Sequence, residues 1–163
     1  MIIMRILGID PGLNVTGYGV IKYVDPECSL IEAGVIKTSS RDELYKRLNK
    51  IFQELCSLIK DTSPDVIVLE KLYAHYRHPL TACLLGHARG VVCLAAAHHN
   101  LTLVEYSSTR IKKALVGKGA ASKHQVKRMV EYILGRGALS GPFDLTDALA
   151  VAIAHSNIIR TKI

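Results

Sequence analysis

The change of hydrophobic period along the chain constrains its fold more than any other feature. Residues 5–10, 18–24 and 30–37 are short apolar segments separated by turn residues, which predicts three consecutive antiparallel strands. From residue 40 to 60 the apolar positions fall on one helical stripe, which predicts an amphipathic helix that covers a sheet. The short apolar run at 65–70 then predicts a strand that is buried on both faces.

Strands and helices alternate through the rest of the sequence. The remaining predicted elements are a helix at 80–98, a strand at 101–106 and helices at 108–116, 122–135 and 143–163. Ser40 with Glu43, and Ser122 with Gln125, have the spacing of capping boxes at two helix starts. We therefore predict an α/β fold with a central mixed five-stranded sheet, one antiparallel edge and helices on both faces. Its 163 residues suit a single domain over 1–163.

Hydropathy and cysteine spacing indicate where such a chain works. The longest apolar stretches have the length of a strand or a helix, so we expect no membrane span and no membrane partner. Arg5 interrupts the apolar run near the N-terminus and no small-residue cleavage site follows, so we expect no signal peptide and a cytoplasmic location. The cysteines lie far apart without a CxxC pair, which predicts reduced core thiols; they are Cys28, Cys56, Cys83 and Cys93.

Two of the predicted strands end in a carboxylate. Asp10 closes the first strand, within GIDPG, and Glu70 closes the buried strand. Asp-Pro-Gly also forms an ordinary turn, so a purely structural role for Asp10 stays open from this stretch alone. Functional groups of α/β sheets gather at the carboxyl ends of strands. If the two strands are neighbours, their carboxylates repel unless a proton or a cation lies between them.

Two more carboxylates begin the last predicted helix. Asp144 and Asp147 are three residues apart and therefore share one helix face. Capping and the helix dipole would also explain acidic residues here, but the helix that follows is almost wholly apolar, as in a buried element. Converging carboxylates favour hard divalent cations, Mg²⁺ with Mn²⁺ as a substitute. Two such ions about 4 Å apart can activate a water and stabilise the leaving oxygen in phosphodiester hydrolysis.

The excess positive charge lies in one segment. The chain has 21 basic and 14 acidic side chains and a net charge of +7. Seven of the bases, and no acid, lie between Tyr106 and Glu131, so the rest of the chain is balanced. A local positive field of this kind most often faces phosphates, although a solvated basic face would also explain it. Acidic residues beside a basic segment predict a metal-dependent nuclease.

Five motifs resemble one known family. GIDPG, LEKLY, GHARGV, KKALVGKGAASKHQV and DLTDALAVAIAH follow the order found in the RuvC family, bacterial Holliday junction resolvases with an RNase H-like fold. GIDPG alone also resembles the opening turn of actin-like kinases, but those need two lobes, for which this chain is too short. The ordered set covers nearly all of the chain, and it implies an RNase H-like α/β fold.

The resemblance also implies an activity and the residues that perform it. It makes Asp10, Glu70, Asp144 and Asp147 the catalytic metal ligands, with two ions in each active site. It implies a homodimer that nicks two opposed strands of four-way junction DNA symmetrically, in homologous recombination and DNA repair. The products would carry 5′-phosphate and 3′-hydroxyl ends, and the RuvA and RuvB branch-migration proteins would be partners.

Four lysines are predicted to bind DNA. Lys112 and Lys123 match basic positions that the resemblance places near the scissile phosphate. Lys118 and Lys127 suit contacts to the phosphate backbone, which position a protein on DNA without reading sequence.

The segment EKLYAHYRHP, directly after the buried strand, alternates bases with aromatic rings. Tyr73 or Tyr76 can stack on an unpaired base. At the position of Tyr73 the family often has a phenylalanine, which acts at the opened junction centre. Arg77 is the predicted DNA contact beside them. An ordinary surface loop is the alternative interpretation of this segment.

Two other functions remain open at the level of sequence. One is a different RNase H-like nuclease that acts on RNA in RNA–DNA hybrids. The other is a junction-binding protein that has lost its activity, against which the presence of all four carboxylates argues.

Overall fold

A computed structural model describes residues 2–72, 79–135, 137 and 139–161. These residues form five strands and five helices. In chain order the elements are β1 (Ile3–Asp10), β2 (Val15–Val24), β3 (Glu27–Lys37), α1 (Leu44–Thr62), β4 (Val66–Glu70), α2 (Pro79–His98), β5 (Thr102–Tyr106), α3 (Ser108–Val116), α4 (Lys123–Ile133) and α5 (Phe143–Arg160).

The strands make one mixed sheet in the order β3-β2-β1-β4-β5. β1, β2 and β3 are antiparallel neighbours, while β1 pairs with β4 and β4 with β5 in parallel. The predicted meander, the five strands and the single antiparallel edge are confirmed. In the β1–β4 register Ile9 lies opposite Leu69, so these two parallel strands end side by side.

Each face of the sheet has its own apolar core. One core joins the sheet to α3, α4 and α5 and includes Leu149 and Ile153, which are fully buried. The other joins the sheet to α1 and α2 and includes Ile51 and Leu55, also fully buried. Helices on both faces are therefore confirmed, and β4 is buried from Val66 to Leu69 as predicted.

Glycines allow α5 to lie directly on the sheet. A Cβ atom at Gly8 would overlap the carbonyl oxygen of Ala148, and a Cβ atom at Gly17 would overlap that of Asp144. Because both positions lack a side chain, the first turns of α5 approach the backbones of β1 and β2 closely. This approach fixes the height of the start of α5 above the end of β1.

The start of α1 differs from the prediction. The helix begins at Leu44 with Glu43 as its N-cap, and no side chain caps it there, so the capping box predicted for Ser40 and Glu43 is wrong. The Ser39 hydroxyl instead accepts a hydrogen bond from the Arg41 amide at 3.2 Å. A local serine turn of this kind competes with helix formation, and the helix starts after it.

The same sequence pattern is correct at α4. Ser122 is the N-cap, and its hydroxyl accepts from the Gln125 amide at 3.3 Å while the Gln125 carboxamide oxygen accepts from the Ser122 amide at 2.9 Å. Both halves of the predicted capping box are therefore present.

α2 is the most apolar helix on its face of the sheet and leaves much of its surface uncovered. Leu80, Leu84 and Leu94 are 79%, 43% and 58% exposed. Among the residues that the structure describes, one helical stretch, Leu80–His98, is long enough and apolar enough to cross a membrane, judged by length and composition alone. Of that stretch, 22% is buried. A helix that packs one side against a sheet can meet the same criterion, and α2 packs in this way through the buried side chains of Ala88 and Val92.

The cysteines are free, but they are not all in a core. Cys28 and Cys56 are partly buried, whereas Cys83 and Cys93 are exposed. The prediction of core thiols is wrong for Cys83 and Cys93, because both belong to the uncovered side of α2.

Candidate active site

The sheet brings two of the predicted carboxylates together. Asp10 is the last residue of β1 and Glu70 is the last residue of β4. Since Ile9 and Leu69 are register partners in this parallel pair, the two acidic residues follow at equivalent positions on adjacent strands. Asp10 is half-buried and Glu70 is exposed.

α5 supplies the other two carboxylates from above the sheet. Asp144 lies in the first turn of the helix, and Asp147 follows one turn later. Pro142 occupies the N-cap position, without a side-chain cap, so neither aspartate caps the helix from there. The close contact between Gly17 and Asp144 sets the position of this helix start.

The charges of the four carboxylates act on one another. The pKa of Asp10 is raised from 3.8 to about 7, first by burial and then by the negative charges of Asp147, Asp144 and Glu70 in that order of importance. The Lys123 ammonium lowers the same pKa. Asp10 therefore lies within the field of the other three predicted residues, as their predicted convergence requires.

A cavity of about 400 Å³ opens between these elements. Asp10, Glu70 and Asp147 line it together with Lys112 and Lys123. Apolar side chains of α2, α3, α4 and α5 also contribute to its wall. A volume of this size admits a nucleotide-sized group between acidic and basic walls.

The lysines predicted to contact the scissile phosphate lie at this cavity. The Lys123 ammonium is 3.3 Å from a carboxylate oxygen of Asp147, and its side chain is 68% exposed. Lys112 contributes to the wall from α3. The basic segment therefore reaches the acidic residues through these two side chains.

The other two predicted lysines lie outside the cavity lining. Lys118 is exposed in the segment between α3 and α4. The Lys127 ammonium is 3.9 Å from a carboxylate oxygen of Glu131 and 5.8 Å from the centroid of the Phe143 ring. Lys127 therefore already has partners within the protein.

Three predicted DNA contacts fall outside the described residues. They are Tyr73, Tyr76 and Arg77.

The donor set suits a hard divalent cation by its chemistry. All four groups are carboxylates, and the pKa of Asp10 is raised first by burial and then by the neighbouring negative charges, both of which a bound cation would offset. Among the residues that the structure describes, no three His, Cys, Asp or Glu side chains are grouped closely enough to form a ready-made metal site. The fit therefore rests on ligand type and mutual field.

Sequence reasoning missed one residue of this site. Arg89 of α2 lines the cavity, donates from Nη1 to the main-chain oxygen of Glu70 at 2.7 Å, and pairs through Nη2 with the carboxylate of Glu105. A signal was present, since Arg89 is the sole Lys, Arg, Asp or Glu between residues 79 and 98. A lone charge in an apolar helix is normally paired.

Comparisons with known proteins agree on one family. A family model described as "Crossover junction endodeoxyribonuclease RuvC" matches residues 6–155. The chain is 45% identical over 148 residues to the protein of that name from Rhodopirellula baltica, covering 91% of this chain and 83% of the relative. It is 42% identical over 154 residues to the one from Alkaliphilus metalliredigens, covering 94% and 93%.

A solved structure is similar over the same extent. The structure titled "T. thermophilus RuvC in complex with Holliday junction substrate" superposes with a TM-score of 0.92 at 31% identity, covering 98% of this chain and 96% of that chain. The RNase H-like fold is thereby confirmed.

Proposed function

This chain belongs to the RuvC family of crossover junction endodeoxyribonucleases, and on that premise we propose that it resolves four-way DNA junctions by paired symmetric nicks. The observation that carries the proposal is the convergence of Asp10, Glu70 and Asp147 on one cavity that Lys112 and Lys123 also line. Acidic groups that bind metal and basic groups that bind phosphate are both needed for phosphodiester hydrolysis. Homologous recombination and DNA repair are the processes that such nicks serve.

Members of this family are metal-dependent nucleases. For this chain we propose Mg²⁺, with Mn²⁺ as a substitute and two ions in each active site, because carboxylate oxygens suit these cations. Asp10, Glu70, Asp144 and Asp147 would hold them. When bound, the ions would supply Lewis-acid activation of the attacking water and stabilisation of the leaving oxygen.

The chain's own basic residues orient the substrate. Lys112 and Lys123 bind the scissile phosphate at the cavity, and Lys123 is already within 3.3 Å of Asp147. Attack of a water molecule on phosphorus breaks the bond between phosphorus and the 3′ oxygen, which leaves 5′-phosphate and 3′-hydroxyl ends.

Other contacts hold the arms and the centre of the junction. Lys118 and Lys127 contribute to backbone binding, which is sequence-independent and sensitive to salt. Tyr73 or Tyr76 stacks on an unpaired base at the opened centre, and Arg77 is a further DNA contact.

We further propose that the enzyme is a symmetric homodimer built on α2. The exposed Leu84 and Leu94 lie on a helix whose sole Lys, Arg, Asp or Glu is Arg89, which is paired with Glu105. A contiguous apolar surface without free charge suits a second copy of the same helix. The two-fold symmetry of such a dimer matches that of the junction and accounts for paired cuts.

Two further proposals rest on the family. RuvA and RuvB would bring the junction to the enzyme, and the cytoplasm would be the compartment in which it acts. Co-purification of this chain with RuvA and RuvB on a four-way junction, compared with the junction alone, tests the first.

Cleavage of synthetic DNA tests the main proposal. Wild type, Asp10→Asn and the control Asp42→Asn, which changes an exposed aspartate away from the cavity lining, are incubated with Mg²⁺ and three substrates. The substrates are a mobile four-way junction, a linear duplex and an RNA–DNA hybrid. We expect paired nicks in the junction from wild type and Asp42→Asn, and at least a hundredfold slower cleavage by Asp10→Asn, because it removes a metal ligand.

The other results would contradict the proposal in different ways. Tight junction binding without any cut, by wild type in Mg²⁺ or Mn²⁺, would indicate a binding protein. Faster cleavage of the hybrid than of the junction would show that the protein is a nuclease with a different substrate from the one proposed. Equal cleavage by wild type and Asp10→Asn would return Asp10 to the role of a turn residue.

A further inference from the structure

We propose that Arg89 is a positioning residue that holds Glu70 in place for metal binding, an inference that rests on the proposed function of the site. Its guanidinium donates to the main-chain oxygen of Glu70 at 2.7 Å and pairs with the carboxylate of Glu105. Arg89 thus acts on the backbone that carries a predicted metal ligand, and through it on the reaction.

The guanidinium ties together the ends of two strands. In the β4–β5 register Leu69 lies opposite Glu105, and Glu70 lies opposite Tyr106. One nitrogen of Arg89 reaches the last residue of β4, and another reaches the next-to-last residue of β5. A planar guanidinium is pre-organised for two directed hydrogen bonds, which an ammonium group cannot reproduce in the same geometry.

Glu70 is a residue that requires such support. The ladder between β1 and β4 ends at the Ile9–Leu69 pair, so Glu70 lies one residue beyond it. Its side chain is exposed, so packing does not fix it. The Lys71 amide donates to the Tyr106 carbonyl at 2.8 Å, and Arg89 provides the second restraint on this strand end.

The effect of Arg89 is geometric more than electrostatic. Its charge is matched by the carboxylate of Glu105. The Arg89 side chain is 15% exposed, and its two bonds occupy it within the protein. Removing the pair should therefore alter the placement of Glu70 without removing a substrate contact.

Four variants separate these contributions. Arg89→Met alone leaves Glu105 without its partner. Arg89→Met/Glu105→Gln removes both charges, so the effect that remains is the loss of the bond to Glu70. The pair is partly buried, with side chains 15% and 35% exposed, and replacing both members of such a pair is better tolerated than replacing one. Arg89→Lys keeps the charge but offers one of the two bonds, and Glu105→Gln alone keeps the bond to Glu70.

Arg5→Met is the matched control. Arg5 also donates from Nη1 to a main-chain oxygen, that of Thr62, at 2.9 Å. It does so at the start of β1, the opposite end of the strand from Asp10. The Arg5→Met substitution therefore removes the same kind of hydrogen bond far from the site.

The measurement is Mn²⁺ binding to the protein without DNA, followed by the loss of the free-ion signal in electron paramagnetic resonance. The midpoint of thermal unfolding and the affinity for a four-way junction without divalent ions are measured on the same samples. We expect the Arg89→Met/Glu105→Gln protein to need about tenfold to a hundredfold more Mn²⁺ for half-saturation, the usual effect of removing a support behind a metal ligand. Arg89→Lys should be intermediate, and Arg5→Met and Glu105→Gln should match wild type, all with unchanged junction affinity.

Two results would overturn this inference, and they differ from failure of the proposed function. Wild-type Mn²⁺ binding by the double variant would show that Arg89 does not position Glu70. Weaker junction binding with unchanged Mn²⁺ binding would make Arg89 a DNA contact instead. Asp10→Asn is measured in parallel. If that variant binds Mn²⁺ and cleaves DNA as well as wild type does, the proposed metal site itself is wrong.

Discussion

α2 and α5 are both long apolar helices, one on each face of the sheet, yet they are buried to very different extents. In α5, eleven of 18 residues are buried. Of the described side chains of α2, four are buried, namely Ala88, Val92, Ala95 and Ala96. The apolar side chains of α5 are mostly buried within the chain, whereas α2 has apolar surface that the other described residues leave uncovered.

The difference shows that hydrophobicity alone does not locate the core. α5 lies close to the sheet because Gly8 and Gly17 have no side chain to hold it away. At Gly86 and Gly90 of α2, no atom of the described residues beyond the neighbouring helix backbone lies within 4 Å of the point where a Cβ atom would stand. Glycines of the strands therefore serve contact with α5 within the chain, whereas under the dimer proposal the glycines of α2 serve contact between chains.

The largest expected difference is in core packing. Leu149 of α5 is fully buried and Leu94 of α2 is 58% exposed. Leu149→Ala should lower the free energy of unfolding by about 2–5 kcal/mol, and Leu94→Ala should change it by less than about 0.5 kcal/mol. Urea unfolding at a concentration where the chain is monomeric measures both. Equal losses would mean that α2 is as well covered as α5.

The second prediction concerns the carboxylates that α5 brings to β1. The pKa of Asp10 is about 7 in the folded protein, against an ordinary value of 3.8. Between these pH values the metal-free folded state therefore binds more protons than the unfolded state does. The free energy of unfolding should therefore fall as pH rises from about 4 to about 7, by at most about 4 kcal/mol, and then level off.

Urea unfolding in a metal chelator at several pH values measures this slope. Asp10→Asn should remove it and be more stable than wild type at pH 7, and Asp42→Asn should keep it. A rise of stability with pH in wild type, absent from Asp10→Asn, would give Asp10 a stabilising partner instead of repelling neighbours.

The third prediction compares glycines of the two environments. A methyl group at Gly17 would overlap the carbonyl oxygen of Asp144, so Gly17→Ala should cost about 1–3 kcal/mol and slow cleavage by displacing the start of α5. Gly90→Ala has free space and should stabilise the monomer by about 0.5–1 kcal/mol, as replacing glycine within a helix does. Thermal unfolding and junction cleavage of both variants provide the test, and destabilisation of the monomer by Gly90→Ala would contradict it.

The fourth and smallest effect concerns the uncovered side of α2. Under the dimer proposal, Leu94→Glu should weaken dimerisation at least tenfold, about 1.4 kcal/mol, because it would place a charge in an apolar interface. Sedimentation velocity measures the dissociation constant, and the cleavage products should shift from paired to single nicks.

Tyr132→Glu is the control for this variant, since Tyr132 is an 82% exposed side chain of α4. It should leave dimerisation unchanged. A Leu94→Glu protein that dimerises like wild type would place the dimer interface elsewhere, and a fully active monomer would remove the need for a dimer.

Much of the fold was predictable from the sequence because its signals are local. The turn residues between the first three strands and the change of period predicted the meander, the helices and the full range of α3. The serine pattern was correct at Ser122 and wrong at Ser40, because Ser39 forms a competing turn that the spacing alone does not reveal.

The sequence indicated which carboxylates lie near one another, but not the residue that supports them. The ends of predicted strands singled out Asp10 and Glu70, since a carboxylate that closes a buried segment is unusual. Arg89 was missed because its bonds join α2 to β4 and β5, and contacts between distant segments leave no periodic signal. The exposure of Cys83 and Cys93 was missed for a related reason, since composition does not show which side of a helix is covered.

β1 and α5 meet in the site although they lie at opposite ends of the described chain. A polypeptide emerging from the ribosome therefore exposes Asp10 and Glu70 well before Asp144 and Asp147 are made. Until α5 docks on Gly8 and Gly17, the nascent chain lacks half of its predicted metal ligands. Under the proposed ligand set, the order of synthesis therefore leaves the site incomplete until α5 docks, after all five strands have been translated.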